Sequence, residues 1–438
     1  MQRTWCTRLP AADLLVCGGR VVDPKSGLDA VLDVRVSAGK VAEVGARPAR
    51  GKSTRMVDAD GMLVLPGFVD LHSHFRTPGR EDEEDLASAS TAAAAGGYVA
   101  AFGMANTAPV TDSAPLLRGL VGQARKDAVI PIGFFAAVTC GLAGEQLTET
   151  GELGEAGAIG FSDDGRPLPT AALTRRALHH AEVSGRFVAI HAQDDSLFEG
   201  GQMHEGPTSA QLGLIGIPSL CESLDVSRTL DIAACDDARV HVCHISTAAS
   251  LEALARAKEA GVRVTAEATP HHLTLNDEAV ASLDTNLKMN PPLRAESDRA
   301  ALVEALKSGL VDCVATDHAP HGSEEKDVPF EEAPFGCIGL ETAFSVLYGQ
   351  LVVPGLLDLA TLVTRLSAAP AGIAGLPAPA IAAGSPADLC VIDPRAVWTV
   401  TPDTLQSRSF NSPWLGRRLT ARVKLTLAAG RVAWEDLA

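Results

Sequence analysis

The chain has 438 residues, of which 46% are apolar and 21% charged, with a formal net charge of −17. That is enough for one large domain and a smaller one around an ordinary core, and the acidic balance argues against nucleic acid or an anionic membrane as partner. No uninterrupted apolar stretch reaches bilayer-spanning length, and the first apolar run, Ala11 to Val16, is broken by Asp13, so a cytoplasmic protein without a signal peptide is expected.

In chain order, the N-terminal segment reads as short alternating strands over Leu14–Val22, Val31–Val36 and Lys40–Val44, separated by Gly, Asp and Pro turns. Strand-like runs then recur at Gly67–His72, Tyr98–Met104, Val129–Val138, Ala158–Asp163, Arg186–His191, Ala238–Ile245, Val262–Thr269 and Val311–Asp317. Helical stretches lie between most of them, including Asp85–Ala95, Ala171–Ser184, Glu222–Ala234, Ala248–Ala260 and Arg299–Gly309. Eight β-then-α units over about 300 residues predict an α/β fold, a (β/α)8 TIM-type barrel, over residues 62–373. Ala387–Ile392 and Arg422–Trp434 are strand-like again. Residues 1–61 and 374–438 are therefore expected to combine into one small composite β-sandwich beside the barrel.

In such a barrel the reactive groups sit at the C-terminal ends of the strands. The first unit ends Asp70-Leu71-His72-Ser73-His74, and histidines at i and i+2 on a strand project to one face, where both can reach one metal ion. Later strand ends supply Asp163 and Asp164, His191, His244 and Asp317. Four histidines and two carboxylates converging on one rim are N/O donors of the kind that suit zinc. The cysteines (Cys6, Cys17, Cys140, Cys221, Cys235, Cys243, Cys313, Cys337 and Cys390) are scattered, odd in number and form no CxxC, so free thiols are expected, not a disulfide framework or a cysteine zinc site.

The sequence resembles the amidohydrolase superfamily and, within it, class I dihydroorotase. The resemblance runs from about Ala12 to the C-terminus. It rests on PGFVDLHSHFR (Pro66–Arg76), GFSDDG (Gly160–Gly165), ATPHHL (Ala268–Leu273), KMNPPLR (Lys288–Arg294), ATDHAPH (Ala315–His321), FGCIGLETAF (Phe335–Phe344) and NSPWLG (Asn411–Gly416). It implies two Zn²⁺ ions per chain: His72, His74 and Asp317 on one, His191 and His244 on the other, with Asp164 and a hydroxide bridging them. The family's spacing to His191 selects Asp164 over Asp163, and no lysine lies nearby to serve as the carboxylated bridge of related hydantoinases.

The same resemblance implies that His74, Arg76, Asn106, Asn290, His321 and backbone groups near Phe335 and Gly336 hold the substrate, with Asp317 moving the proton. A guanidinium can grip a carboxylate through two parallel hydrogen bonds, so Arg76 also explains how an acidic chain would bind a small anion, dihydroorotate or N-carbamoyl-L-aspartate. The activity implied is reversible, zinc-dependent cyclisation in de novo pyrimidine (UMP) biosynthesis. The family allows a homodimer and an association with aspartate carbamoyltransferase. The rival readings are another cyclic-amide hydrolase, allantoinase or hydantoinase-like, and a non-catalytic dihydroorotase-like subunit of an aspartate carbamoyltransferase complex. The missing lysine speaks against the first, the complete ligand set against the second.

Of the remaining histidines, His179, His180 and His204 are expected at the surface, His241 and His318 in structural positions, and His271 and His272 at the rim as hydrogen-bond donors that orient ligands. The acidic run Glu81-Asp82-Glu83-Glu84-Asp85, where the family more often carries a lysine, is expected to be a solvated helix N-terminus. His321–Gly336 reads as a long rim loop, either a lid or a simple connection.

Overall fold

A computed structural model describes residues 9–46, 48 and 54–437. Cys6 lies outside them. The strands in chain order are β1 (Leu14–Asp23), β2 (Leu28–Ser37), β3 (Lys40–Gly45), β4 (Arg55–Asp58), β5 (Leu63–Pro66), β6 (Phe68–Ser73), β7 (Tyr98–Gly103), β8 (Ile132–Phe134), β9 (Val188–Ile190), β10 (Met203–His204), β11 (Gly216–Ile217), β12 (Val240–Val242), β13 (Val264–Ala268), β14 (Cys313–Val314), β15 (Leu389–Thr399), β16 (Arg418–Ala428) and β17 (Arg431–Glu435).

Strands from both ends of the chain form one sheet in the order β17-β16-β15-β5-β1-β2-β3, with β4 paired to β1. Its apolar side chains, among them Leu14, Val16, Val34, Leu389, Val391 and Leu425, form a core of their own. The central region is an α/β structure of parallel strands: β6-β7-β8 in one sheet and β9-β12-β13-β14 in another. Isolated parallel bridges Ala136↔Phe161 and Phe161↔Val188 link the two sheets on one side, and Ser73↔His318 links them on the other. Both faces of these strands are buried, which is why β7 reads as a continuous apolar run, while β6 alternates apolar residues with the buried polar Asp70 and His72.

The helices begin where the sequence provides caps. Asp85 accepts the amides of Ala87 and Ser88 to open helix Leu86–Ala95, Thr170 caps Ala171–Val183, and Thr247 caps Ala248–Glu259. Helix Ala114–Asp127 carries no clear sequence signal, because Gly119 and Gly122 lower its helical propensity. The expected strands at Ala158–Asp163 and Val311–Asp317 shrink to the Phe161 bridges and to β14. Past β12 and β14 the chain leaves the ladder early to turn polar side chains inward: His244 has φ 30° and Asp317 φ 47°, a left-handed conformation that side chains adopt at a cost. Among the described residues no helix is long and apolar enough to cross a membrane, and the eight described cysteines are all free.

Candidate active site and metal centre

His72 is the second-to-last residue of β6, and the chain carries on through Ser73 to place His74 one step beyond. Ser73 is not free to turn: its hydroxyl donates to Asp70 Oδ2 at 2.5 Å, and Asp70 also receives the Thr316 amide at 2.7 Å. Asp70 thus ties the first strand end to the last one, and it brings His72 and His74 against Asp317. His74 Nε2 lies 3.0 Å from Asp317 Oδ1, and His72 Nε2 lies 3.4 Å from the same oxygen.

Asp164 sits between the two histidine pairs. Its Oδ2 is 3.4 Å from His72 Nε2 and 3.5 Å from His74 Nε2, while Oδ1 is 3.4 Å from His244 Nε2 and 3.7 Å from His191 Nδ1. Asp163 faces the other way, accepting the amides of Val138 and Thr139 and the Thr139 hydroxyl. All six expected ligands are buried.

The electrostatics of the group favour bound positive charge. Burial alone would push the His72 imidazole down, but Asp164, Asp317 and Glu267 outweigh it and hold His72 well above its ordinary value. Burial likewise opposes the charge on Asp164 and Asp317, yet the imidazoles keep both carboxyls below the usual carboxylate range. His72 Nε2 and His244 Nδ1 are buried with no hydrogen-bond partner. Unpaired imidazole nitrogens beside ionised carboxylates are the donor set that a divalent cation completes, so the residues fit a metal centre.

Of the expected substrate residues, Asn106 and Asn290 touch this group, and Arg76, His321 and Phe335 are linked to one another. Arg76 has φ 57°, and its Nε donates to the Pro320 carbonyl at 2.9 Å and lies 3.2 Å from Glu83 Oε2. Its Nη2 is 3.3 Å from His321 Nε2. His321 is held by Glu325 Oε2 at 2.9 Å from Nδ1, and its Nε2 reaches the Phe335 carbonyl at 2.9 Å. Asn106 Oδ1 lies 2.9 Å from His74 Nδ1, and Asn290 Nδ2 donates to Gln193 Oε1 and lies 3.2 Å from His191 Nε2. Gly336 has φ 121°, and a Cβ there would lie 2.7 Å from that of Ala319, so only glycine lets this backbone approach the rim.

Several expectations need correction. Glu83 and Glu84 are not solvated: they are 2% and 0% exposed. Glu83 pairs with Arg76 and Arg80, and Glu84 takes the Ser407 hydroxyl and lies 3.3 Å from His318 Nε2. Only Asp85 acts as the helix cap. His204 is buried too, near the Arg294 guanidinium, which lies 3.6 Å from the buried Glu222. The rim loop is pinned from below: Lys288 Nζ donates to the carbonyls of Phe330 and Glu331, and Lys326 Nζ to those of Thr285 and Pro334.

One residue escaped the sequence reading. Glu267, inside β13, lies 2.7 Å from His72 Nδ1 and 3.0 Å from His241 Nε2, and it links His241 to the metal group. A lone carboxylate within a largely buried strand was the available signal. His271 and His272 are buried at the rim, with His272 between Thr269 and the Pro291 carbonyl and His271 Nε2 unpartnered.

The chain is similar to known proteins along nearly its whole length. The family described as Dihydro-orotase-like matches residues 61–250. A dihydroorotase of Anaeromyxobacter dehalogenans (strain 2CP-C) is 45% identical over 425 residues, covering 97% of this chain and 98% of the relative. One of Geobacter metallireducens is 43% identical, covering 97% of this chain and 100% of the relative. Among solved structures, L-hydantoinase from Arthrobacter aurescens has a TM-score of 0.87 at 24% identity, covering 97% of this chain and 96% of that one. Dihydropyrimidinase from Brevibacillus agri NCHU1002 has a TM-score of 0.83 at 23% identity, covering 97% and 95%. The hydantoinases share the fold; these dihydroorotases match over nearly their full length at over 40% identity, and the chain belongs to the dihydroorotase family.

Proposed function

We propose that the chain closes N-carbamoyl-L-aspartate to (S)-dihydroorotate, reversibly and with metal assistance, in pyrimidine biosynthesis. The observation that carries this is the set of buried carboxylates, Asp164 and Asp317, within 3.0–3.7 Å of four histidines and next to the half-buried Arg76. In this reading His72, His74 and Asp317 would hold one zinc ion and His191 and His244 a second, with Asp164 contributing to both. Ions of this kind acidify a water molecule and polarise an amide carbonyl.

The chain's own residues do the rest. Arg76 receives the substrate carboxylate, its guanidinium aimed by Pro320 and Glu83. Asn290, His321 and the backbone of Phe335 and Gly336 complete the substrate contacts, and Asn106 orients His74. The Asp317 carboxylate takes the proton released as water attacks the ring amide and returns it to the departing ring nitrogen; closure runs the same transfers backwards.

Three further readings accompany this one. The two parallel sheets and their bridges are read as a closed (β/α)8 barrel, and residues 1–61 with 374–438 as one small domain whose sheet β5 completes. Free cysteines suit the reducing cytoplasm. The test is metal analysis with an assay of dihydroorotate ring opening before and after chelation. Activity should vanish with the metal and return with zinc. Fully metallated protein that opens hydantoin or allantoin but not dihydroorotate overturns the assignment.

A further inference from the structure

A cavity of about 510 Å³ lies on the far face of β6 and β7 from the histidine group. The parity of β6 separates the two. Asp70 and His72 point to the metal group, whereas Val69, one step out of phase, lines the cavity. Its floor is apolar, formed by the buried Val69, Phe102 and Ile132, and its partly exposed apolar lining is Val121, Pro131 and Leu376. Helix Ala114–Asp127 forms one wall, and the segment around Leu376 closes another side.

The polar lining is uneven. Arg118 and Arg125, two turns apart on that helix, both line the cavity, and among the described residues neither guanidinium has a hydrogen bond or ion pair. Arg186 is the third cation; its Nε is occupied by the Ala158 carbonyl at 2.7 Å. Two carboxylates also line the space. Asp388 is buried and accepts the Ala429 amide at 2.5 Å, and Glu155 stands exposed at the edge. Three guanidinium groups against two carboxylates, one of these engaged, leave a local positive charge in a chain whose net charge is −17.

We propose that this cavity is a binding site for a small organic anion with a flat apolar body, separate from the catalytic group. The volume suits such a ligand, since small-molecule sites commonly measure about 300–1,000 Å³ and combine an apolar lining with a few placed polar groups. The apolar body packs on Val121, Pro131 and Leu376, above the apolar floor, and the acidic group meets Arg118 and Arg125. An aromatic carboxylate, sulfonate or phosphate monoester meets this description; a metal ion or a polycation does not.

The probe is 1-anilinonaphthalene-8-sulfonate, titrated by fluorescence into the full, metal-loaded chain. Saturable binding with a stoichiometry of about one per chain is expected, with affinity lowered about ten-fold or more in R118E/R125E and retained in R118K/R125K. Gly122 lines the cavity and a Cβ there meets no atom within 4 Å, so G122W should fill the space and abolish binding. Dihydroorotate turnover should be unchanged in all these variants, which keeps the proposal separate from the functional assignment. Equal binding of the probe to wild type, R118E/R125E and G122W overturns the site. Equally tight binding of the uncharged N-phenyl-1-naphthylamine that ignores the arginine changes overturns the anion assignment.

Discussion

Glu267 Oε1 lies 2.7 Å from His72 Nδ1, on the opposite side of the imidazole from Asp164 and Asp317. A carboxylate there fixes the proton on Nδ1 and leaves the Nε2 lone pair facing the metal group. Because Glu267 also holds His241, it is anchored on both oxygens and sets the ring angle of His72. Glu267→Gln should therefore weaken metal affinity by about 10–100-fold, measured by chelator competition, with little change in the circular dichroism of the loaded protein. Unaltered affinity would show that His72 needs no such support.

Arg76 is aimed, not merely present. Glu83 Oε2, 3.2 Å from its Nε, is 2% exposed, so the pair is shielded from solvent screening. Glu83→Gln should raise KM for dihydroorotate by about ten-fold and lower kcat less, because the guanidinium loses its orientation while the reacting groups stay in place. Steady-state kinetics in the ring-opening direction decide this, and a fall confined to kcat contradicts it.

For Asp317 the contrast is between binding and proton movement. Asp317→Asn should leave the melting temperature near that of the parent and reduce turnover by about 10²–10⁴-fold, the usual worth of a positioned acid–base group. Turnover close to the parent's in protein of verified metal content ends the proton role.

Away from the site, Glu341 gives a pH signature. Burial pushes its carboxyl up to about 8, although the amides of Ser407 and Gln406 pull it down, and the nearby Glu84 adds to the rise. Between the ordinary value of 4.5 and about 8, the folded chain keeps a proton that the unfolded chain has released. This contribution to stability therefore falls as pH rises through that window. Glu341→Gln cannot titrate, so its melting temperature should fall less than the parent's between pH 5 and 8. Parallel curves would refute the assignment.

What the sequence disclosed follows from where each signal resides. His72 and His74 were legible because strand parity and the following turn are local properties, and Asp317 because it ends a run of strand-like residues. Glu83 and Glu84 were misread because an acidic run opening a helix looks the same whether water or protein covers it. Here the cover is Ser407, Arg408 and Ser409, more than 300 residues downstream, and no local pattern announces such a contact. Strand ends were overestimated for a related reason. Propensity continues through Asp317, but the left-handed backbone there serves the site and not the ladder.

The terminal sheet has a consequence for how the molecule comes into being. β5 is flanked by β1 on one side and by β15 on the other, and β1 itself hydrogen-bonds on to β2. A nascent chain emerging from the ribosome can make the first of these pairings early, but one edge of β5 stays open until translation has nearly finished. Ser409, whose hydroxyl caps the Glu83 carbonyl, also arrives only then. Competence is thus delayed to the last stretch of synthesis, and a message truncated before residue 389 should yield aggregation-prone product instead of a partly working enzyme.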